Sequence, residues 1–269
     1  MEDGELKGNW AVVLGASSGF GAAASLALAK SGVNICGVHL NMRSTLPNAE
    51  KVANDIKSCG VQALFFNVNA ADAANRAKVL DSLDEKIKSD GAVAKVRVLL
   101  HSLAFGSLRP YITPRSEEAL TQKQMEMTLD VMSHSIVYWS QDLVRRELMT
   151  RGGRIFALTS AGSSRIIPSY GAVSAAKASL ESHMRQLAVE LATYGITVNA
   201  LRAGVTDTPA LRKIPASSRL LDGALARNPS GRLTTPEDVA SALVALSQPS
   251  TYWVTGNIIN VDGGEEIVA

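Results

Sequence analysis

Short, wholly apolar runs alternate with longer stretches whose apolar positions recur every three or four residues. The short runs, at residues 11–14, 33–38, 63–68, 96–100, 154–158, 197–201 and 258–261, predict strands. The longer stretches predict helices from the glycine-rich segment to about residue 30, then over 49–58, 76–88, 122–148, 174–193 and 236–247. Strands that are apolar throughout are buried on both faces, which is the signature of a parallel sheet covered by helices. The pattern therefore predicts one α/β domain over residues 1–269, a doubly wound parallel sheet of Rossmann type in three αβα layers. In such sheets ligands bind at the carboxyl ends of the strands. Residues 203–235 read as irregular, with Pro209, Pro215 and Pro229 inside and Pro236 just beyond, and are expected to form a mobile substrate-covering loop.

Composition narrows the function classes. A chain of 269 residues is long enough for a large core. A net charge of +2 with no basic block gives no support for a nucleic-acid partner. No apolar run is long enough to span a bilayer, and residues 1–5 are acidic where a signal peptide would be basic. A soluble, cytoplasmic protein is the expectation. Cys36 and Cys59 have no metal-ligand spacing, so free, packed thiols and no metal site are expected.

The clearest motif is Gly15-Ala16-Ser17-Ser18-Gly19-Phe20-Gly21, directly after the first strand and opening the first helix. Backbone N–H groups at such a helix start can cradle a pyrophosphate. Gly15 would allow the tight turn, Gly19 close approach of the ligand, and Gly21 close packing of helix on strand. An acidic residue at the end of the second strand would bind the ribose of NAD. The chain instead reads His39-Leu40-Asn41-Met42-Arg43, and Arg43 can pair with the 2′-phosphate of NADP.

Together with this loop, Ser160, Tyr170 and Lys177, Val198-Asn199-Ala200 and Val261-Asp262-Gly263-Gly264 make the chain resemble the short-chain dehydrogenase/reductase family over nearly its whole length. Members of that family reduce carbonyls with a tyrosine and a lysine four residues apart on one helix, assisted by a serine. Here the position four before Lys177 is Val173, and the nearby tyrosine is Tyr170, seven residues before the lysine. Seven helical residues turn through about 700°, so the two side chains still share a face, with their axial separation raised from ~6 to ~10 Å. This Tyr-x6-Lys spacing resembles the enoyl-acyl carrier protein reductases of the family. The segment His101-Ser102-Leu103-Ala104-Phe105 is similar to theirs, and Met132 stands where carbonyl reductases keep an asparagine of their proton relay. Ser-Leu-Arg-Pro at 107–110 and Thr206-Asp207-Thr208 resemble the NADPH-using branch; the first active-site tyrosine of the NADH-using branch falls on Ser160. Leu14 and Asn67 depart from the family's threonine and aspartate at those positions.

The resemblance implies NADPH-dependent reduction of the 2,3 double bond of enoyl-acyl carrier protein thioesters in fatty acid synthesis, by a homo-oligomer, dimer or tetramer. Tyr170 would bond the thioester carbonyl, Lys177 the nicotinamide ribose, and Ser160 would help orient the substrate. Ser17, Ser18, Phe20, Asn67, Val68, Ser102, Leu103, Ala104, Val205, Thr206 and Thr208 are the further expected cofactor contacts. Two other readings stay open: a carbonyl reductase in which Tyr170 reaches a ketone, and a non-catalytic dinucleotide sensor. His101, His134 and His183 are expected to be structural, and Met125, Met127 and Met132 to fill a core or an interface. Arg145, Arg146, Arg151 and Arg154 read as a solvated charged patch, with contact to an acidic carrier protein as the alternative.

Overall fold

The structure is a computed structural model that describes residues 6–91, 93–215 and 217–268. The acidic residues 1–5 lie outside that set. Seven strands form one parallel sheet: β1 (Trp10–Leu14), β2 (Asn34–His39), β3 (Ala63–Asn67), β4 (Val96–His101), β5 (Arg154–Ser160), β6 (Thr197–Ala203) and β7 (Ile258–Val261). Their order across the sheet is β3-β2-β1-β4-β5-β6-β7. The direction of winding reverses between β1 and β4, where Leu14 lies beside His101 on one side and Val38 on the other. That reversal opens the crevice in which a doubly wound sheet binds its ligand.

Alternation along β1 explains the three layers. Trp10, Val12 and Leu14 face one core, with α3 (Ala73–Ser89), α5 (Ser135–Arg145) and α6 (Gly171–Leu191) above them. Ala11 and Val13 face the other, with α1 (Gly19–Lys30), α2 (Leu46–Ser58) and α8 (Pro236–Leu246). A residue every second position to each face is the geometry of a strand. Trp139 is fully buried and its indole N–H donates to Ala70 O at 2.8 Å, so its one polar group is satisfied.

Three expectations change. The predicted 122–148 helix is α4 (Gln122–Leu129) and α5 joined by a π-helical segment, Asp130–His134. The segment 203–235 is not one irregular loop: it carries α7 (Ser217–Arg227) and a short 3-10 turn, Leu211–Lys213. Its prolines mark the joints, and the apolar residues between them cover the site. Arg154 belongs to no solvated patch. It is buried, and its guanidinium donates to the carbonyls of Gly152, Gly153 and Gln248, closing the amino end of β5.

Among the described residues no helix is long and apolar enough to cross a membrane, and no group of three or more His, Cys, Asp or Glu side chains could hold a metal. Cys36 is a buried free thiol, pushed up to about 12 by burial; Cys59 is half-buried and free.

Candidate active site

The glycine loop shows why glycine stands at its ends. Gly15 has φ +92°, and a Cβ there would lie 2.4 Å from Ser102 O. A Cβ on Gly21 would lie 2.1 Å from Gly15 O. Loop, β4 end and α1 are thus in backbone contact, fixed further by Ser102 N donating to Leu14 O at 2.9 Å. Ser18 caps α1 with extended backbone and no side-chain cap bond, and the first turn holds no acid. A helix start with free N–H groups and no carboxylate to repel an anion fits a pyrophosphate.

A cavity of about 340 Å³ opens at the carboxyl ends of β4, β5 and β6. Its lining brings together Phe20, Ser102, Leu103, Ala104, Ser160, Tyr170, Lys177, Val205, Thr206 and Thr208. These ten expected site residues come from five separate segments of the chain. Arg43, Asn67 and Val68 do not line it; they sit along the same sheet edge, at and just past the carboxyl ends of β2 and β3. The Asn67 side chain is engaged with the β2 end, accepting from Asn41 N at 2.8 Å and donating to Asn41 O at 3.1 Å. Through that pair it holds the loop that carries Arg43. Arg43 itself is exposed and makes no ion pair among the described residues.

Tyr170 is the N-cap of α6 rather than a residue within it, and Ser174 N donates to Tyr170 O at 2.8 Å. The helix begins at Gly171, three residues earlier than expected, which keeps the helical spacing to Lys177 nearly intact. Ser169, just before the tyrosine, has φ +60°, a left-handed conformation costing a non-glycine residue ~1–2 kcal/mol. Strain of that kind persists where surrounding structure enforces it, and here it turns the chain into the site. Burial pushes the Tyr170 phenol above its ordinary value. The Ser160 hydroxyl is close enough to oppose this partly, yet it forms no aligned hydrogen bond: Ser160 Oγ is buried and has no partner among the described residues. A buried hydroxyl left open beside a phenol is suited to an incoming oxygen.

The Lys177 ammonium donates to Leu158 O at 2.7 Å, and burial pulls it down to about 8, against the opposing charge of Glu181. Met132, on the π-helical segment, and Val173 supply apolar wall. Gly106 lets both approach, since a Cβ there would lie 2.8 Å from Val173 Cγ2 and 2.9 Å from Met132 Sδ.

His101 is neutral, and its buried Nδ1 has no hydrogen-bond partner among the described residues. It is fully buried, hydrogen-bonds Ser135 Oγ at 2.9 Å, and is pulled down to about 3 by burial and the nearby Lys177 charge. His134 and His183 touch each other at 3.0 Å between helices, a contact that no spacing in the sequence could reveal. The sequence also gave no signal for Gly162, Arg202 or Glu265, all of which line the cavity. Glu265 is buried and accepts from Val205 N at 3.0 Å, tying the last segment of the chain to the loop after β6.

A family model described as Enoyl-(Acyl carrier protein) reductase matches residues 15–266. The chain belongs to the short-chain dehydrogenase/reductase family, in which it resembles the enoyl-acyl carrier protein reductases. It is 29% identical to a 1-cyclohexenylcarbonyl-CoA reductase of Streptomyces collinus over 260 residues, 96% of this chain and 87% of that protein. It is 32% identical to a 3-oxoacyl-acyl-carrier-protein reductase of Aggregatibacter actinomycetemcomitans, covering 94% and 97%. The fold matches the crystal structure of FabI from Candidatus Liberibacter asiaticus with a TM-score of 0.85, at 23% identity and 98% coverage of each chain. The protein is therefore an oxidoreductase of this family, whose fold takes a nicotinamide dinucleotide. The open helix start of α1 and the glycine cradle fit that group.

Proposed function

We propose that the protein uses NADPH to reduce the 2,3 double bond of enoyl thioesters carried on acyl carrier protein. The observation that carries this reading is the place of the phenol. Tyr170 caps α6 seven residues before Lys177 while Val173 fills the position four before it, and all three line one cavity.

In ketone reduction the oxygen that needs a proton is bonded to the carbon that accepts hydride. In an enoyl thioester, hydride goes to the β-carbon and negative charge develops on the thioester oxygen, several bonds away. A phenol moved along the helix suits that remote oxygen. Burial keeps the Tyr170 phenol protonated at neutral pH, so it donates a hydrogen bond to the developing enolate. Ser160 Oγ, buried and without a partner among the described residues, orients the same oxygen. Lys177 holds the nicotinamide ribose and lends its charge to the phenol. Val173 and Met132 keep that end of the pocket dry, which strengthens both interactions. The bound dinucleotide supplies the hydride.

The loop Gly15, Ser17, Ser18, Gly19, Phe20 and Gly21 holds the pyrophosphate. Ser102, Leu103, Ala104, Val205, Thr206 and Thr208 line the nicotinamide, and Asn67 and Val68 the adenine side. Arg43, exposed and without an ion-pair partner among the described residues, takes the 2′-phosphate and favours NADPH. The enzyme works as a homo-oligomer in the cytoplasm. The Streptomyces relative, named as reductase of a thioester conjugated to a ring double bond, supports the same chemistry. The Aggregatibacter relative supports the competing one, reduction of a 3-oxoacyl thioester.

Crotonyl and acetoacetyl thioesters offered to the protein with NADPH separate the two by the rate of cofactor oxidation. Faster turnover of the crotonyl substrate is expected. Faster turnover of the acetoacetyl substrate overturns the reading. Tyr170→Phe should depress turnover at least ~100-fold while leaving NADPH affinity within about twofold.

A further inference from the structure

A buried ion cluster touches this machinery from behind. Glu181 lies one turn after Lys177 on the same face of α6, a spacing that sets side chains about 6 Å apart. Both are buried, at 8% and 6% exposure. Glu181 Oε1 accepts from Thr159 Oγ1 at 2.7 Å and from Arg202 Nη2 at 3.2 Å, and Arg202 Nη2 also donates to Ser163 Oγ at 3.3 Å. Thr159 and Arg202 are register partners on β5 and β6. Two adjacent strands thus clamp one carboxylate oxygen.

The other charged and titratable groups around Lys177 are committed elsewhere. His101, from β4, is neutral. Tyr170, capping α6, keeps its proton. Across the cavity, Glu265 pairs with Arg227 and Glu266 with Arg165, while Asp262 accepts from Gly264 N and Glu266 N. Arg202, also a cation, is itself paired with Glu181. Lys177 makes its hydrogen bond to a backbone carbonyl, which carries no net charge.

We propose that Glu181 is a positioning residue for the reaction: clamped by Thr159 and Arg202, it is the counter-charge that keeps the Lys177 ammonium protonated beside Leu158 O and the cavity. The proposal rests on the reading of Lys177 as the group that holds the ribose and charges the phenol. Without Glu181, burial would act unopposed against the protonated amine.

The Lys177 amine can be titrated directly by its 13Cε resonance in the full-length protein, identified by its loss in Lys177→Arg. Glu181→Gln keeps an acceptor for Thr159 but no charge, and should lower the Lys177 midpoint by about one pH unit or more. Glu181→Asp keeps the charge and should restore at least half of that shift. The alkaline limb of turnover should move with the midpoint, while dinucleotide affinity at pH 6.5 stays within about twofold. If Glu181→Gln does not fold, Thr159→Val loosens the clamp and should give a smaller shift in the same direction. An unmoved midpoint in the variant that folds overturns the proposal, whatever the melting temperature does. A moved midpoint without crotonyl turnover keeps the proposal and removes the enoyl reading instead.

Discussion

The Tyr170 ring packs against the α-carbon of Gly162 so closely that a Cβ there would lie 2.7 Å from the ring carbon Cε1 and 3.3 Å from Ser160 Oγ. Gly162 therefore sets where the phenol stands relative to the serine hydroxyl. Its φ is not left-handed, so alanine is free of backbone strain and acts by volume alone. Gly162→Ala should push the ring aside and lower kcat ~10- to 100-fold, since misplacement by about 1 Å costs on that order. NADPH affinity, measured by fluorescence titration, should change by less than about threefold. A loss confined to affinity would show that the ring is not the group displaced.

Gly15 is a different case, because both conformation and space demand glycine. With φ +92° and Ser102 O 2.4 Å from a new Cβ, Gly15→Ala meets backbone that cannot rotate away. The expected cost is ~3 kcal/mol or more, from left-handed strain and overpacking together. Gly8 is the internal control: its φ is +78°, but nothing lies within 4 Å of its Cβ position. Gly8→Ala should cost only the strain, about 1–2 kcal/mol. Chemical denaturation of the two variants checks the difference. Equal losses would mean that the contact between the glycine loop and β4 is softer than its spacing implies.

How much of this was legible beforehand follows from the range of each interaction. The inner strands were readable because burial on both faces leaves a local apolar signature in each run, and the half-buried edge strands β3 and β7 because their runs are mostly apolar all the same. Gly15, Gly19 and Gly21 were readable because a turn that needs glycine declares itself over a few residues. Tyr170 and Lys177 were paired by their spacing on one chain segment. Arg154 misled, because a surface-type residue closing a strand with backbone carbonyls looks like any charged residue in sequence. The partners of Glu181 escaped notice for another reason: Thr159 and Arg202 come together only through the β5–β6 register, 43 residues apart in the chain. The helix in 217–227 was masked by flanking prolines that mark its ends rather than forbid it.

Arg43 offers the test of cofactor choice. It stands after β2 in a loop held by the reciprocal Asn41–Asn67 bonds, with no acid at the strand end to favour a bare ribose. Arg43→Glu places a negative charge where the 2′-phosphate is expected. NADPH affinity should fall ~10- to 100-fold, since a charge-assisted pair becomes a repulsion. NADH affinity should change by less than about threefold. Equal losses for both dinucleotides would place the 2′-phosphate elsewhere.

Lys177 links activity to stability through pH. Its folded value of about 8 lies below the ordinary 10.5, so between those values the unfolded chain binds more protons than the folded one. Stability contributed by this residue therefore rises with pH across that window, and below about 8 the penalty for burying the charge is present in full. The separation corresponds to on the order of 3 kcal/mol at neutral pH. Lys177→Met removes that penalty and loses the bond to Leu158 O, for a net gain of ~1–3 kcal/mol in the protein without cofactor at pH 7. Turnover should vanish in the same variant. In the native enzyme, turnover should hold from about pH 6 to 7.5 and fall above about 8, as the ammonium loses its proton. Melting temperatures of both proteins at pH 7 and pH 10 check the linkage: the advantage of the methionine variant should shrink at the higher pH. An advantage that is independent of pH would assign the gain to packing rather than to the buried charge.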